Sequence, residues 1–277
     1  MLEKKAPTLL LFEQQLDAGK TLFGELAKKI RSKKAIQLEE KLFFFQLFLE
    51  LIGKIHFEEK KLSLKLFSPF DQLYRNLKLV HHVRLITDVY ESHTANFNEP
   101  LFDYKQDLDE DKKRVYTELF DTILSAPIKI WEDLYLSVYP FARQLTAFQV
   151  NTGSTQLINE EIDFSHFDAK NELDPVSIKD IYEGLNKIIA IENIRTSMGL
   201  NPIFTDDVHK KANLLSQKLY NWYQNHLFFQ HFSHFLRDKE NVDRRYLHVL
   251  KTVKKNHKGL TTDVVTQSVH LFTQVLH

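Results

Sequence analysis

Residues 42–55 read LFFFQLFLELIGKI, and the polar side chains Gln46, Glu50 and Lys54 recur every four residues within this apolar stretch. A period near 3.6 places the three polar groups along one stripe of an α-helix and turns the apolar side chains toward other elements. The stretch is too short to span a membrane as a helix. It therefore predicts a mostly buried helix and gives no reason to expect a membrane partner.

The composition extends this prediction to the whole chain of 277 residues. Hydrophobic residues make up 43% of the chain and include 22 Phe, so a large aromatic core can form. Only seven Gly and seven Pro are present, whereas β-hairpins need many such turn residues. Because no segment alternates apolar and polar residues with period two, we predict an all-α fold.

The helical periodicity fails near the middle of the chain. Residues 151–175 read NTGSTQLINEEIDFSHFDAKNELDP and are rich in Asn, Asp and other turn-forming residues. We therefore predict an N-terminal helical half over residues 1–150, an irregular linker over 151–175 and a C-terminal helical half over 176–277.

Capping residues indicate several helix boundaries. Ser68 and Asp174 can each cap a helix, and each is followed by a proline, which the first helical turn accepts. Gly199 and Gly259 follow helical stretches, at positions where helices commonly end. We expect the C-terminal helices to be separated at Gly259.

Charge and cysteine content exclude several classes of function. Lys plus Arg equals Asp plus Glu, 37 each, whereas proteins that bind nucleic acid usually carry a basic excess. Nucleic acid is therefore not favoured as a partner. No Cys is present, which excludes disulfides, thiolate catalysis and cysteine-bound metal clusters. The N-terminus lacks the layout of a signal peptide, and we expect a cytoplasmic protein.

Two segments can be aligned with each other at helical spacing. Residues 74–86 read YRNLKLVHHVRLI, residues 185–200 read LNKIIAIENIRTSMGL, and the alignment pairs Arg84 with Arg195. Together with residues 219–224, LYNWYQ, these segments resemble the CHAD family, the conserved-histidine α-helical domains. The resemblance implies a helical bundle of two related halves, each a four-helix-bundle-like unit whose first helix carries regularly spaced basic residues.

The resemblance also implies a function, the binding of inorganic polyphosphate or a similar polyanion without a cofactor. Tyr74 and Leu185 stand where the family carries its histidine, so the predicted anion site is weakened or repurposed. No nucleotide-binding glycine loop, nucleophile elbow or HExxH helix indicates an enzyme. We predict a non-enzymatic binding module. Its implied anion-binding residues are Lys78, His81, His82, Arg84, Lys187 and Arg195.

Two other hypotheses come from different classes of protein. A helical protein-interaction scaffold without an anion site would bind a protein partner through a large exposed aromatic patch. A metalloenzyme of the helical-bundle type would use His231 and His234, three residues apart on one helix, and would need at least two carboxylates beside them.

Basic residues cluster in two runs, residues 28–34 and residues 251–258, each toward the end of a predicted helix. Such runs are typical of a hydrated helix face. If the runs and the pair Arg244 and Arg245 converge in space, they would instead form a surface for a polyanion.

Overall fold

The computed structural model confirms the all-α fold, because every regular element in the part of the chain that it describes is helical. A short 3₁₀ turn, Ser68–Phe70, precedes the fourth α-helix. The described residues are 5–56, 62–95, 101–164, 173–237, 239 and 241–276. The α-helices in chain order are α1 (Pro7–Lys28), α2 (Lys34–Ile55), α3 (Leu62–Phe67), α4 (Asp71–Thr94), α5 (Phe102–Ser125), α6 (Lys129–Ala142), α7 (Ala147–Phe164), α8 (Pro175–Ser197), α9 (Asp206–Arg237) and α10 (Arg244–Gln274).

Helix α2 contains residues 42–55, as their pattern predicts, and packs against α1, α3 and α7. The polar side chains of its stripe have hydrogen-bond or ion-pair partners. Gln46 donates a hydrogen bond to Glu50 at 3.4 Å, and Lys54 forms an ion pair with Glu160 of α7 at 2.7 Å. None of the helices in the ranges given above combines the length and the apolar character that a membrane span requires.

Internal contacts divide the chain into two compact units, which differ from the predicted halves 1–150 and 176–277. Helices α4, α5 and α8 each contribute residues to both units, so the boundary does not follow chain order. The relation of the two units by duplication stays a prediction. Unit 1 comprises Met1–Lys78, Tyr116–Phe164 and Asn186–Thr205, and unit 2 comprises Leu79–Val115, Ser165–Leu185 and Asp206–His277.

The prediction of an irregular linker is wrong for residues 151–164, which belong to α7. Packing on α2 explains the helix, since Leu157 is buried and a Cβ added at Gly153 would lie 2.8 Å from Cγ1 of Ile55. Glycine thus lets the two helices approach closely, and this tertiary contact outweighs the low helix propensity of the segment. Residues 165–172 of the predicted linker lie outside the described residues.

The predicted break at Gly259 is also wrong, because α10 continues through this residue. Val253 and Val264 are buried on either side of it, and Nε1 of Trp222 donates a hydrogen bond to Thr261 at 3.0 Å. Contacts with α9 therefore stabilise α10 on both sides of Gly259. A glycine in a helix interior costs only about 1 kcal/mol relative to alanine, so these contacts can outweigh it.

Two of the predicted boundaries of α8 are confirmed. Asp174 accepts a hydrogen bond from the backbone N–H of Ser177 at 2.7 Å, and the hydrogen bonds from Ser177 lower the pKa of Asp174. Gly199 follows the last turn with φ of +81°, and the N–H of Leu200 donates to the carbonyl of Arg195 at 3.1 Å. The helix therefore ends in the left-handed glycine conformation that its sequence predicts.

Replacing Gly199 by alanine is expected to lower the free energy of unfolding by about 1 kcal/mol, because a side chain disfavours positive φ. A Cβ at this position meets no atom within 4 Å, so only the backbone conformation is tested. Urea unfolding followed by circular dichroism measures the change. Gly24→Ala, inside α1 and also without a neighbour within 4 Å, is the matched control and should raise stability slightly. Equal effects of the two substitutions would contradict the prediction.

Candidate anion-binding surface

Three of the predicted anion-binding residues, Lys78, Lys187 and Arg195, belong to unit 1. Nζ of Lys78 lies 4.6 Å from the centre of the Tyr74 ring, a cation–π contact. Nζ of Lys187 forms an ion pair with Glu161 at 2.9 Å, so its charge is largely compensated. Both lysines thus already have partners within the protein.

Helix α2 adds a further carboxylate to the surroundings of Lys187. Burial raises the pKa of Glu50, and the charge of Lys187 acts to lower it. Two carboxylates, Glu50 and Glu161, therefore share the positive charge of this lysine, which leaves it poorly suited to hold an anion.

Arg195 is the centre of an internal hydrogen-bond network in unit 1. Its side chain is 3% exposed, and its Nε lies 3.5 Å from the carboxylate of Glu192, which is 2% exposed. The guanidinium also donates to the side chains of Asn151 and Ser154 and to the backbone carbonyl of Asn201. The structure therefore gives Arg195 a buried structural role and not a place on the surface.

The other three predicted residues, His81, His82 and Arg84, lie on the part of α4 that belongs to unit 2. All three are half-buried. Nε2 of His82 lies 3.0 Å from the hydroxyl of Tyr223, and the two rings meet edge to face with centroids 5.7 Å apart. His82 thus serves the packing of α4 on α9.

The histidines that a metal site would need have other partners. Nδ1 of His231 lies 3.0 Å from the hydroxyl of Tyr104, and Nε2 lies 3.0 Å from Asp111, while Nδ1 of His234 lies 3.1 Å from the guanidinium of Arg237. Partial burial acts to raise the pKa of Asp111, but the hydrogen bonds from Arg114 and His231 hold it below its usual value. No group of three or more potential metal ligands occurs in the described part of the chain.

Helix α10 carries a row of exposed basic side chains that we call the basic face of α10. Successive members are four, three, four and three residues apart, so they lie within about 80° of each other around the helix axis. With a rise of about 1.5 Å per residue, the row is about 21 Å long. All five side chains are exposed, and they are Arg244, His248, Lys251, Lys255 and Lys258.

Charges of opposite sign are absent from this stretch of α10. No Asp or Glu occurs between residues 244 and 262, and Lys254 and Arg245 flank the basic face. Asp243 is engaged by Arg245 at 2.8 Å, and Asp263 by Lys218 at 3.0 Å. No carboxylate among the described residues forms an ion pair with a member of the basic face.

The opposite side of α10 anchors the helix in unit 2. Tyr246, Val249 and Val253 are buried there, on the side that packs against α9. Asp243 caps the first turn by accepting a hydrogen bond from the backbone N–H of Arg245 at 2.8 Å. The basic face is therefore presented on a rigid, capped helix.

A sequence signal for the basic face exists, namely basic residues with helical spacing in a stretch without acidic residues. Composition and the run of lysines alone predict only hydrated side chains. Comparisons with protein-family models, with curated proteins and with solved structures give no match for this chain.

Proposed function

We propose that this protein is a non-enzymatic binding module for a linear polyanion, inorganic polyphosphate, and that the basic face of α10 is its binding surface. The observation that carries the proposal is the row of five exposed basic side chains without an ion-paired carboxylate among the described residues. The resemblance to the CHAD family suggests the same class of ligand but a different set of residues. In this proposal the site is repurposed.

Exposed cations bind a polyanion by acting together. A single exposed ion pair contributes only about 0–1 kcal/mol, but a row of about 21 Å lets several phosphates bind at once. Each contact displaces counterions from the polyanion, so binding must weaken steeply as salt is raised. The lack of an ion-paired carboxylate among the described residues matters because a competing internal ion pair would otherwise have to break.

The basic face suits a phosphate chain better than a nucleic acid. Proteins that bind single strands place aromatic side chains where bases can stack on them. On α10 the aromatic residues Tyr246 and Phe272 are buried, and the exposed side chains of the basic face are those of Arg, Lys and His. The surface therefore offers charge without a platform for bases.

The variant Lys251→Glu/Lys255→Glu/Lys258→Glu is expected to lose affinity for long-chain polyphosphate by roughly 10- to 100-fold at low salt, since three favourable contacts become repulsive. The slope of log affinity against log salt should fall by about 3. Isothermal titration calorimetry at two salt concentrations measures both quantities.

A matched control reverses three exposed lysines of unit 1, Lys28→Glu/Lys29→Glu/Lys33→Glu. This control changes the net charge equally and should retain most of the affinity. An equal loss in both variants would mean that net charge alone governs binding. Wild-type protein that binds duplex DNA as tightly as polyphosphate at the same salt would contradict the choice of ligand.

A wild-type protein that fails to bind polyphosphate at low salt would overturn the proposed function and favour a protein-interaction scaffold. The proposal places the module in the cytoplasm, and the absence of cysteine is compatible with a reducing compartment.

A further inference from the structure

His226 of α9 and His257 of α10 face each other inside unit 2. Nδ1 of His226 lies 3.0 Å from Nε2 of His257, and the ring centroids are 5.2 Å apart. This distance is that of a hydrogen bond, in which one imidazole donates and the other accepts. His226 is only 9% exposed, and His257 is half-buried.

Aromatic rings cover both histidines. Trp222 stacks on His226 with centroids 4.9 Å apart and 9° between the planes, and Phe229 stacks on His257 with centroids 5.3 Å apart. The indole of Trp222 also donates to Thr261 of α10, one turn after His257. The histidine pair is thus built into the packing of α9 on α10.

We propose that the His226–His257 pair is an acid-sensitive clasp that holds α10 against α9 while both rings are neutral and releases it when they are protonated. The hydrogen bond requires one facing nitrogen that carries no proton. Once both rings are imidazolium, both facing nitrogens carry protons, and two positive charges lie side by side. The proposal goes beyond polyphosphate binding and does not depend on it.

The direction of the pH effect follows from the pKa values. Burial lowers the pKa of His226 to about 4, and the nearby His257 acts in the same direction; burial also lowers the pKa of His257. The unfolded or opened chain takes up protons near pH 6.5, whereas His226 in the closed pair resists protonation until about pH 4, and burial also makes His257 harder to protonate. The clasp is therefore complete above about pH 6.5 and weakens as the pH falls toward 4.

Other charged and titratable groups lie on α10 and on the helices that pack near the clasp. Lys254 and Lys258 are close to His257 in the sequence of α10, and Lys218 of α9 forms an ion pair with Asp263 of α10 further along. On α4, His93 stacks on Phe228 with centroids 5.8 Å apart, and burial lowers its pKa as well. His93 is therefore the neighbouring histidine that must be separated from the clasp experimentally.

Trp222 makes the clasp observable. Protonated imidazole quenches indole emission more strongly than neutral imidazole does, and Trp222 stacks directly on His226. In the wild-type protein we expect tryptophan emission to drop as the pH falls from 6.5 to below 4, and amide protection to begin falling at higher pH. Between pH 7.5 and 5, amide protection in α10 should fall roughly tenfold after correction for intrinsic exchange.

The double variant His226→Gln/His257→Gln is expected to lose the fluorescence step and to reduce the pH dependence of protection to less than about twofold. Two variants serve as controls: His248→Gln, an exposed histidine of the same helix, and His93→Gln, whose ring stacks on Phe228. Both should keep the fluorescence step. Wild-type protein whose amide protection does not change between pH 7.5 and 5, or a fluorescence step that persists in the double variant, would overturn the proposal.

Discussion

Replacing Arg195 by methionine is expected to lower the free energy of unfolding by about 3–5 kcal/mol, because it breaks the buried ion pair with the carboxylate of Glu192. Burial lowers the pKa of Arg195 and Glu192 opposes this shift, but a guanidinium stays protonated at neutral pH. The loss of the guanidinium would also leave the side chains of Asn151 and Ser154 without their donor. Urea unfolding followed by circular dichroism measures the change.

The double variant Arg195→Met/Glu192→Gln separates charge from packing. Glu192 accepts hydrogen bonds from the backbone N–H of Ile203 at 3.0 and 3.1 Å, and glutamine can still accept one of them. Because no buried charge remains, the double variant should recover a large part of the lost stability. If the free energy of unfolding of Arg195→Met lay within about 1 kcal/mol of the wild-type value, the ion pair of Arg195 with Glu192 would not be a major stabilising interaction of unit 1.

Replacing Trp131 by alanine is expected to cost a similar amount, about 3–5 kcal/mol, through the cavity that it leaves in unit 1. The side chain is fully buried, and its ring centroid lies 5.1 Å from that of Phe70, 5.8 Å from that of Phe23 and 6.1 Å from that of Phe45. Thermal and urea unfolding both report the loss.

The same helix provides the control for this prediction. Leu136 of α6 is 67% exposed, and Leu136→Ala should change stability by less than about 0.5 kcal/mol. Trp131→Phe should cost much less than alanine, since the buried indole N–H finds no acceptor among the described residues and phenylalanine removes that donor. A loss below about 1 kcal/mol for Trp131→Ala would contradict the assignment of this residue to the core.

Much of the secondary structure could be predicted because it depends on local chemistry. Polar residues every four positions in α2, the capping carboxylate of Asp174 and the glycine at position 199 each act within one or two turns of the chain. Their effects need no partner from elsewhere in the sequence, and the predicted elements were confirmed at these points.

The failures occurred where a distant contact outweighs the local preference. The sequence predicts an irregular segment at 151–164, yet these residues belong to α7, and a Cβ at Gly153 would lie 2.8 Å from Cγ1 of Ile55 on α2. Gly19 of α1 makes a similar close approach, since a Cβ there would lie 2.8 Å from the Trp131 ring. In both cases glycine permits close packing, and the buried area gained outweighs its cost in helix propensity.

For the candidate binding residues, too, the sequence shows some features and the tertiary structure is needed for others. The helical spacing of the basic face of α10 can be read directly, because charge and a period of 3.6 decide which side chains share a face. The ion pair of Lys187 with Glu161 cannot be read from the sequence, and neither can the burial of Arg195 beside Glu192. Each depends on how α8 packs on its neighbours.

By itself, the sequence determined that this protein is helical, where several of its helices begin and end, and which charges line up along α10. Only the tertiary structure decided which basic groups already have internal partners and which remain exposed to a ligand. The physical reason is that helix formation and helical spacing are local, whereas burial and ion pairing depend on residues brought together from distant parts of the chain.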